Sequence, residues 1–268
     1  MTRRSLAVLF GSSLVACSLV TSLDDLRAPG DAAPASDAAD VSPMPESGVD
    51  AHPTPDASDA PNDAPVGTIS FVAASSASSV TASSSIDISK PTGTVTGDFV
   101  FAMLAIDDGS ATPTVPSAWN LATRATDAMY GFETFAWYFF ASASEPASYT
   151  ITLPSAIDWS VTLVAYAGVQ PTSPFDVMPS MTKVASPPYT AAAITTTVPN
   201  ALVIFGFVGE TGDGSWSASS PLVSRAQEDY LLAADMLLAS PGSSGAQSAS
   251  YSDGASPGMV LVGALAPQ

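Results

Sequence analysis

Phe99-Val100-Phe101-Ala102-Met103-Leu104-Ala105-Ile106 and Ala201-Leu202-Val203-Ile204-Phe205-Gly206-Phe207-Val208 are the two stretches that decide the fold. Neither contains a charged residue or a proline, and each is eight residues long. Eight residues of helix make barely two turns, whereas eight of strand cross a whole sheet. Uninterrupted apolar character over that length predicts a central strand buried on both faces. Leu202 lies 103 positions after Phe99, and the two runs superpose without a gap.

Other short matches continue the superposition at offsets of 98 to 103. Leu121-Ala122-Thr123-Arg124-Ala125 meets Leu222-Val223-Ser224-Arg225-Ala226, and Phe139-Phe140-Ala141-Ser142 meets Leu237-Leu238-Ala239-Ser240. Ala147-Ser148-Tyr149 meets Ala249-Ser250-Tyr251, and Val164-Ala165-Tyr166-Ala167 meets Val262-Gly263-Ala264-Leu265. Small residues match by chance in a chain this rich in Ala and Ser. Five matches in one order are harder to obtain that way. They predict an internal duplication whose halves meet through their apolar faces.

The texture around these runs is that of an all-β domain. Strands are expected at 69–73, 80–86, 99–106, 121–126, 132–140, 148–153 and 160–166, then at 191–198, 201–208, 222–226, 231–238, 247–251 and 259–265. Thr, Val, Tyr, Phe and Ile dominate them, and Gly, Pro, Ser and Asp punctuate them. The Leu, Ala and Met of 231–238 also suit a helix, but the matching stretch in the first half argues for strand. The expected fold is a single antiparallel β-sandwich, jelly-roll-like, with an internal pseudo-twofold repeat, spanning residues 67–268.

Composition removes several classes of function. The chain has 268 residues with 25 Asp and Glu against 7 Lys and Arg, a net charge of −18. Such a surface repels phosphate backbones and offers no basic stripe, which argues against nucleic-acid binding. Residues 67–268 contain neither His nor Cys, so a Ser-His-Asp triad and an imidazole or thiolate zinc site are both impossible there. A Ser–Lys dyad would have to recruit Lys90 or Lys183. Neither has a serine motif beside it, and paired exposed charges are the simpler reading.

The N-terminal part has a different character. Arg3 and Arg4 precede an apolar run, 6–14, that is too short to remain as a membrane span. It ends in Leu14-Val15-Ala16-Cys17, which resembles the lipobox of bacterial lipoproteins. The resemblance implies removal of residues 1–16, acyl chains on Cys17, and attachment to the membrane through that lipid. Cys17 is the only cysteine, so it has no disulfide partner within the chain. Ser18 rather than Asp after it fits, by the same resemblance, sorting to the outer membrane.

Residues 28–65 hold 10 Ala, 8 Pro and 8 acids, with no aromatic, Lys or Arg. A segment so poor in burial surface cannot offset its ordering entropy, and residues 17–66 are expected to be a disordered acidic tether. At about 3.1 Å per residue its reach is roughly 150 Å. The single histidine, His52, lies in it with no second metal ligand nearby.

Three further motifs resemble β-sandwich modules of secreted bacterial surface proteins. They are Gly97-Asp98 before an apolar strand, Pro116-Ser117-Ala118-Trp119, and Tyr166-Ala167-Gly168-Val169 with Pro171-Thr172-Ser173-Pro174-Phe175-Asp176. Those modules usually carry Gly where Ala118 stands. The resemblance implies the fold and brings no activity with it.

Candidate site residues are few. Asp107-Asp108-Gly109-Ser110 and Glu210-Thr211-Gly212-Asp213-Gly214 follow the two apolar strands. Carboxylates clustered on a bent backbone suit calcium, so Asp107, Asp108, Glu210 and Asp213 are its candidate ligands. Asp and Gly also simply make turns, which is the favoured reading. Trp119 and Trp216, just downstream, would be platforms for a glycan or anchors for a surface protein if exposed, and packing residues if buried. Trp137 and Trp159 read as core. Arg124 and Arg225 are expected to pair with Asp127, Glu228 or Asp229.

The expected function is a lipid-anchored, non-enzymatic β-sandwich at the cell envelope, working in binding, adhesion or surface structure without a cofactor. The alternative from a different class is a carbohydrate-active enzyme using a carboxylate pair, drawn from the fifteen acids of residues 67–268.

Overall fold

A computed structural model describes residues 67–79, 81–210, 214–252 and 256–268. The lipobox, Cys17, the acidic segment with His52, and Asp213 lie outside the described residues.

Every regular element described is a β-strand. In chain order they are β1 (Ser70–Ser78), β2 (Ser83–Ser89), β3 (Phe99–Ile106), β4 (Asn120–Asp127), β5 (Phe132–Phe140), β6 (Ser148–Ile157), β7 (Trp159–Ala167), β8 (Phe175–Val184) and β9 (Tyr189–Ala191). They continue as β10 (Thr195–Thr196), β11 (Ala201–Gly209), β12 (Trp216–Ala218), β13 (Val223–Glu228), β14 (Leu231–Leu238), β15 (Gly242–Ser243), β16 (Gln247–Tyr251) and β17 (Gly258–Leu265).

Two five-stranded antiparallel sheets form the sandwich, ordered β1-β7-β3-β5-β4 and β8-β17-β11-β14-β13. Read strand for strand, the two orders are the same, and the expected duplication is there. Both apolar runs sit at the middle of their sheets. Alternate side chains from them point opposite ways, as the pleat requires. Phe99, Phe101, Met103 and Ala105 face Leu202, Ile204 and Val208 of the other sheet in one shared core.

The opposite faces are covered as well. Val100, Ala102, Leu104 and Ile106 lie under the β2–β6 ribbon, with Ile86, Ile88, Tyr149 and Ile151 above them. Val203, Phe205 and Phe207 lie under the β12-β16-β9 sheet, with Tyr189, Tyr251 and Trp216 above them. Each half therefore closes a hydrophobic layer of its own in addition to the shared one. A sandwich core alone would leave these outer faces wet; their apolar composition is what draws the extra ribbons over them.

The pairings also refine the repeat. Met103 pairs with Ala136 and Gly206 with Ala233, while the bulges of β4 and β13 fall beside these same partners. That fixes Met103 and Gly206 as equivalent, as the first superposition has it. The bulge places Ala122, not Arg124, opposite Arg225 in the repeat. Phe99 pairs with Phe140 and Tyr166, and Leu202 with Leu237 and Leu265. Phe140 thus matches Leu237, and Tyr166 matches Leu265. The string matches drift by one or two places because Ala and Ser identities outweigh strand parity there.

Met103 and Gly206 meet at the centre of the shared core. A methyl group on Gly206 would lie 2.5 Å from the Met103 sulfur and 3.2 Å from Leu261 Cβ. The thioether of one half fills the place where the other half has no side chain, so the pseudo-twofold is broken at its own axis.

β8 was not expected from sequence. Pro179 in its middle argues against a strand, but β8 is an edge strand and its pairing to β17 breaks at that point. The chain reaches the sandwich at Gly67, whose N–H donates to Gln268 O at 2.7 Å. Gln268 N donates in turn to Gly168 O at 3.0 Å. This clamp marks the pole at which β3 begins. Asp107 and Glu210, after the ends of β3 and β11, mark the opposite pole.

Candidate functional site

The acidic pole carries three of the expected calcium candidates, Asp107, Asp108 and Glu210. Asp107 follows β3 as Glu210 follows β11, so these two acids occupy equivalent places. They flank a small cavity of about 10 Å³ lined by Ile106, Phe132, Gly209 and Tyr230. That is room for about one water. Burial raises the Asp107 carboxyl above the ordinary range, and Asp158 and Asp108 push it the same way. Burial likewise raises Glu210, with Asp107 and Asp127 adding to it.

Asp108 behaves differently. Its Oδ1 accepts from Ser110 N–H and Ser110 Oγ–H, both at 2.8 Å, and these bonds lower its pKa. The loop is thus a self-satisfied Asx turn. Among the described residues no three His, Cys, Asp or Glu side chains gather as a metal-binding group. Asp127, which is buried, pairs instead with the exposed Lys183 at 3.8 Å.

Both candidate tryptophans are packing residues. Trp119 is 7% exposed and Trp216 is 8% exposed, so neither offers an open face for stacking. Trp216 is wedged between Tyr189 and Tyr251, with ring centroids 5.1 and 4.6 Å away, and its Nε1–H donates to Asp229 O at 3.3 Å. Trp119 stacks on Phe139 at 5.1 Å and meets Tyr149 edge-on at 5.5 Å. The outer ribbons need large apolar caps, and indoles are the largest available. Trp137 and Trp159 are buried, as expected.

Trp119 nevertheless borders an open groove. A groove of about 270 Å³ runs between the turn of residues 116–119 and residues 142–150. Trp119, Phe139 and Tyr149 form its floor, while Ser142, Ser148 and Glu145 stand along its side. Glu145 is held at both oxygens: Ser142 N–H donates to Oε1 at 2.9 Å and Tyr149 O–H donates to Oε2 at 3.0 Å. Burial and this bond push the Tyr149 phenol well above its usual pKa, so it stays a neutral donor.

A buried polar network links the two sheets. Asp235, 1% exposed, accepts from Tyr166 O–H at 2.9 Å and from Arg225 Nε–H at 2.7 Å, all at Oδ2. The Arg225 guanidinium lies 4.5 Å from the Phe71 ring centre. Burial first, then Asp235, raises the Tyr166 phenol far above its ordinary range. Sequence pointed Arg225 toward Glu228 or Asp229; the bulge in β13 turns it inward to Asp235 instead. Glu228 accepts from Ser76 and Ser78 of β1, each at 2.9 Å.

No protein family, curated protein or solved structure matches the chain.

Proposed function

We propose that this protein is an exported, lipid-anchored binding module of the bacterial cell envelope, held through Cys17 and a long acidic tether. The observation that supports the reading is the lipobox-like Leu14-Val15-Ala16-Cys17 ahead of a long acidic segment, and the Gly67 N–H to Gln268 O bond holds the start of the folded part at one pole. A lipobox-like sequence, a segment too polar to fold, and a sandwich without His or Cys all agree with it. Several acyl chains on Cys17 give lasting attachment where one gives only a marginal one. Binding, adhesion or surface structure is the work such an arrangement does, and no cofactor is invoked.

Cys17→Ser tests the anchor. The variant is expected to stay unprocessed or to be released in soluble form. A variant that is cleaved normally and remains membrane-bound would overturn the anchor. The competing enzyme reading has one observation in its favour, the juxtaposed Asp107 and Glu210 with raised pKa values. Paired carboxylates of that kind hydrolyse glycosidic bonds. Their cavity of about 10 Å³ admits no sugar ring without opening. Hydrolysis of a polysaccharide that disappears in Asp107→Asn or Glu210→Gln would decide for the enzyme.

A further inference from the structure

We propose that the groove beside Trp119 is a binding site for a neutral saccharide of one or two rings. The proposal stands on the binding-module reading and names the ligand class for it. Its volume, about 270 Å³, lies near the lower end of small-molecule sites. The floor is made of aromatic rings locked against one another: Trp119 on Phe139, and Tyr149 edge-on to both at 5.5 and 5.3 Å. The side is made of hydroxyls and one carboxylate.

Glu145 is the key residue. Each of its oxygens already accepts one internal hydrogen bond, from Ser142 N–H and from Tyr149 O–H. A carboxylate has about four lone-pair sites, so acceptor capacity remains at both oxygens. Its position is set before any ligand arrives, which removes the entropic cost of ordering it. A fixed acceptor pair beside hydroxyls and the edges of buried aromatic rings matches adjacent sugar hydroxyls. An anionic ligand would meet Glu145 and a chain of net charge −18, so acidic saccharides are disfavoured.

Comparison of the two halves shows why the groove exists here. In the second half β12 zips onto β16 through three consecutive pairs, and Ser219 N–H then bonds Ser248 O at 2.9 Å. In the first half the corresponding chain touches β6 only at the single bridge between Thr114 and Thr152. The turn of residues 116–119 then departs from β6. The space that a ladder closes in one half stays open in the other.

The test is titration of the full chain with cellohexaose, xylohexaose, chitohexaose, mannohexaose and maltohexaose, followed by calorimetry. At least one is expected to bind with 1:1 stoichiometry. Ser148→Arg, which fills the groove from an exposed position, is expected to weaken that binding at least about tenfold. Glu145→Gln is expected to do the same, while Ser217→Arg, on the zipped ribbon of the other half, leaves it unchanged. Failure of all five sugars to bind overturns the proposal, and so does binding that survives Ser148→Arg. Membrane attachment lost in Cys17→Ser, together with no sugar binding, would leave the anchored-module reading standing and remove only this site.

Discussion

The contact between Met103 and Gly206 allows a double-mutant test of the duplication. Met103→Ala removes the thioether from a site that is 1% exposed and leaves a cavity over Gly206. The cost is about 2–5 kcal/mol. Gly206→Ala alone places a methyl 2.5 Å from the Met103 sulfur, inside van der Waals contact. Crowding by the Leu261 side chain, whose Cβ is 3.2 Å away, limits retreat, so overpacking costs about 1–3 kcal/mol. In the double variant the new methyl enters the space that the thioether vacated. Overpacking disappears, and the cavity shrinks by one methyl, about 0.8 kcal/mol. The double variant is therefore expected to be more stable than the sum of the singles by about 2 kcal/mol. Urea unfolding of the full chain, followed by tryptophan fluorescence at unchanged slope, measures all four species. Additivity within about 0.5 kcal/mol would refute the contact and the equivalence built on it.

Arg225→Ala is expected to cost about 3 kcal/mol, because Asp235 is left buried without its cation. Arg225→Met combined with Asp235→Leu and Tyr166→Phe, which also removes the hydroxyl that Asp235 accepts, should recover most of that loss in the same unfolding assay. Stability should also depend on pH through Asp107 and Glu210. Their raised folded-state values favour the protonated forms, so their contribution is full below the unfolded carboxyl range and is lost as pH rises through the folded values. Thermal midpoints should rise as acidification brings these two carboxyls into their protonated range, and Asp107→Asn should flatten that rise. At the alkaline end, the raised Tyr166, Tyr149 and Tyr189 stabilise the fold below about pH 10, with loss above it, and Tyr166→Phe should reduce that step. A fragment of residues 67–169 would expose Phe99, Phe101, Met103, Phe132 and Tyr166, so light scattering should find it associated; a monomer with a sharp thermal transition would show that the halves are independent domains.

The central strands were legible because an apolar run of eight has few alternatives once strand length is considered. Phe99–Ile106, Phe132–Phe140, Leu231–Leu238 and Gln247–Tyr251 stand where sequence places them. β8 was hidden by Pro179, since the rule against proline in strands does not apply at an edge beside a bulge. The short β10, β12 and β15 carry too few residues for any period to show. The polar bridge at Asp235 was hidden for another reason. Its partners, Tyr166 and Arg225, lie 69 and 10 residues away, and only a bulge of β13 turns Arg225 inward. Of the groove, sequence supplied Trp119 and missed Glu145 and Tyr149. A Glu four residues before a Tyr, flanked by serines and a proline, reads as an ordinary loop.

The clamp at Gly67 has a mechanical consequence. Trp119 stands just before β4, whose Asn120 lies opposite Tyr138, and Ser142 follows β5, whose Phe140 lies opposite Phe99. Groove and clamp therefore share one end of the sandwich. A pull applied at Gly67, as the proposed tether would apply it, against a ligand held in the groove would run along a short path through β1, β7, β3 and β5 near that end. The second half would carry load chiefly through Gln268, which holds Gly67, and most of the shared core would carry little. The same pull on a partner held at the acidic end would instead stretch the strands along their full length. Resistance to detachment under flow would then depend on which end the partner grips.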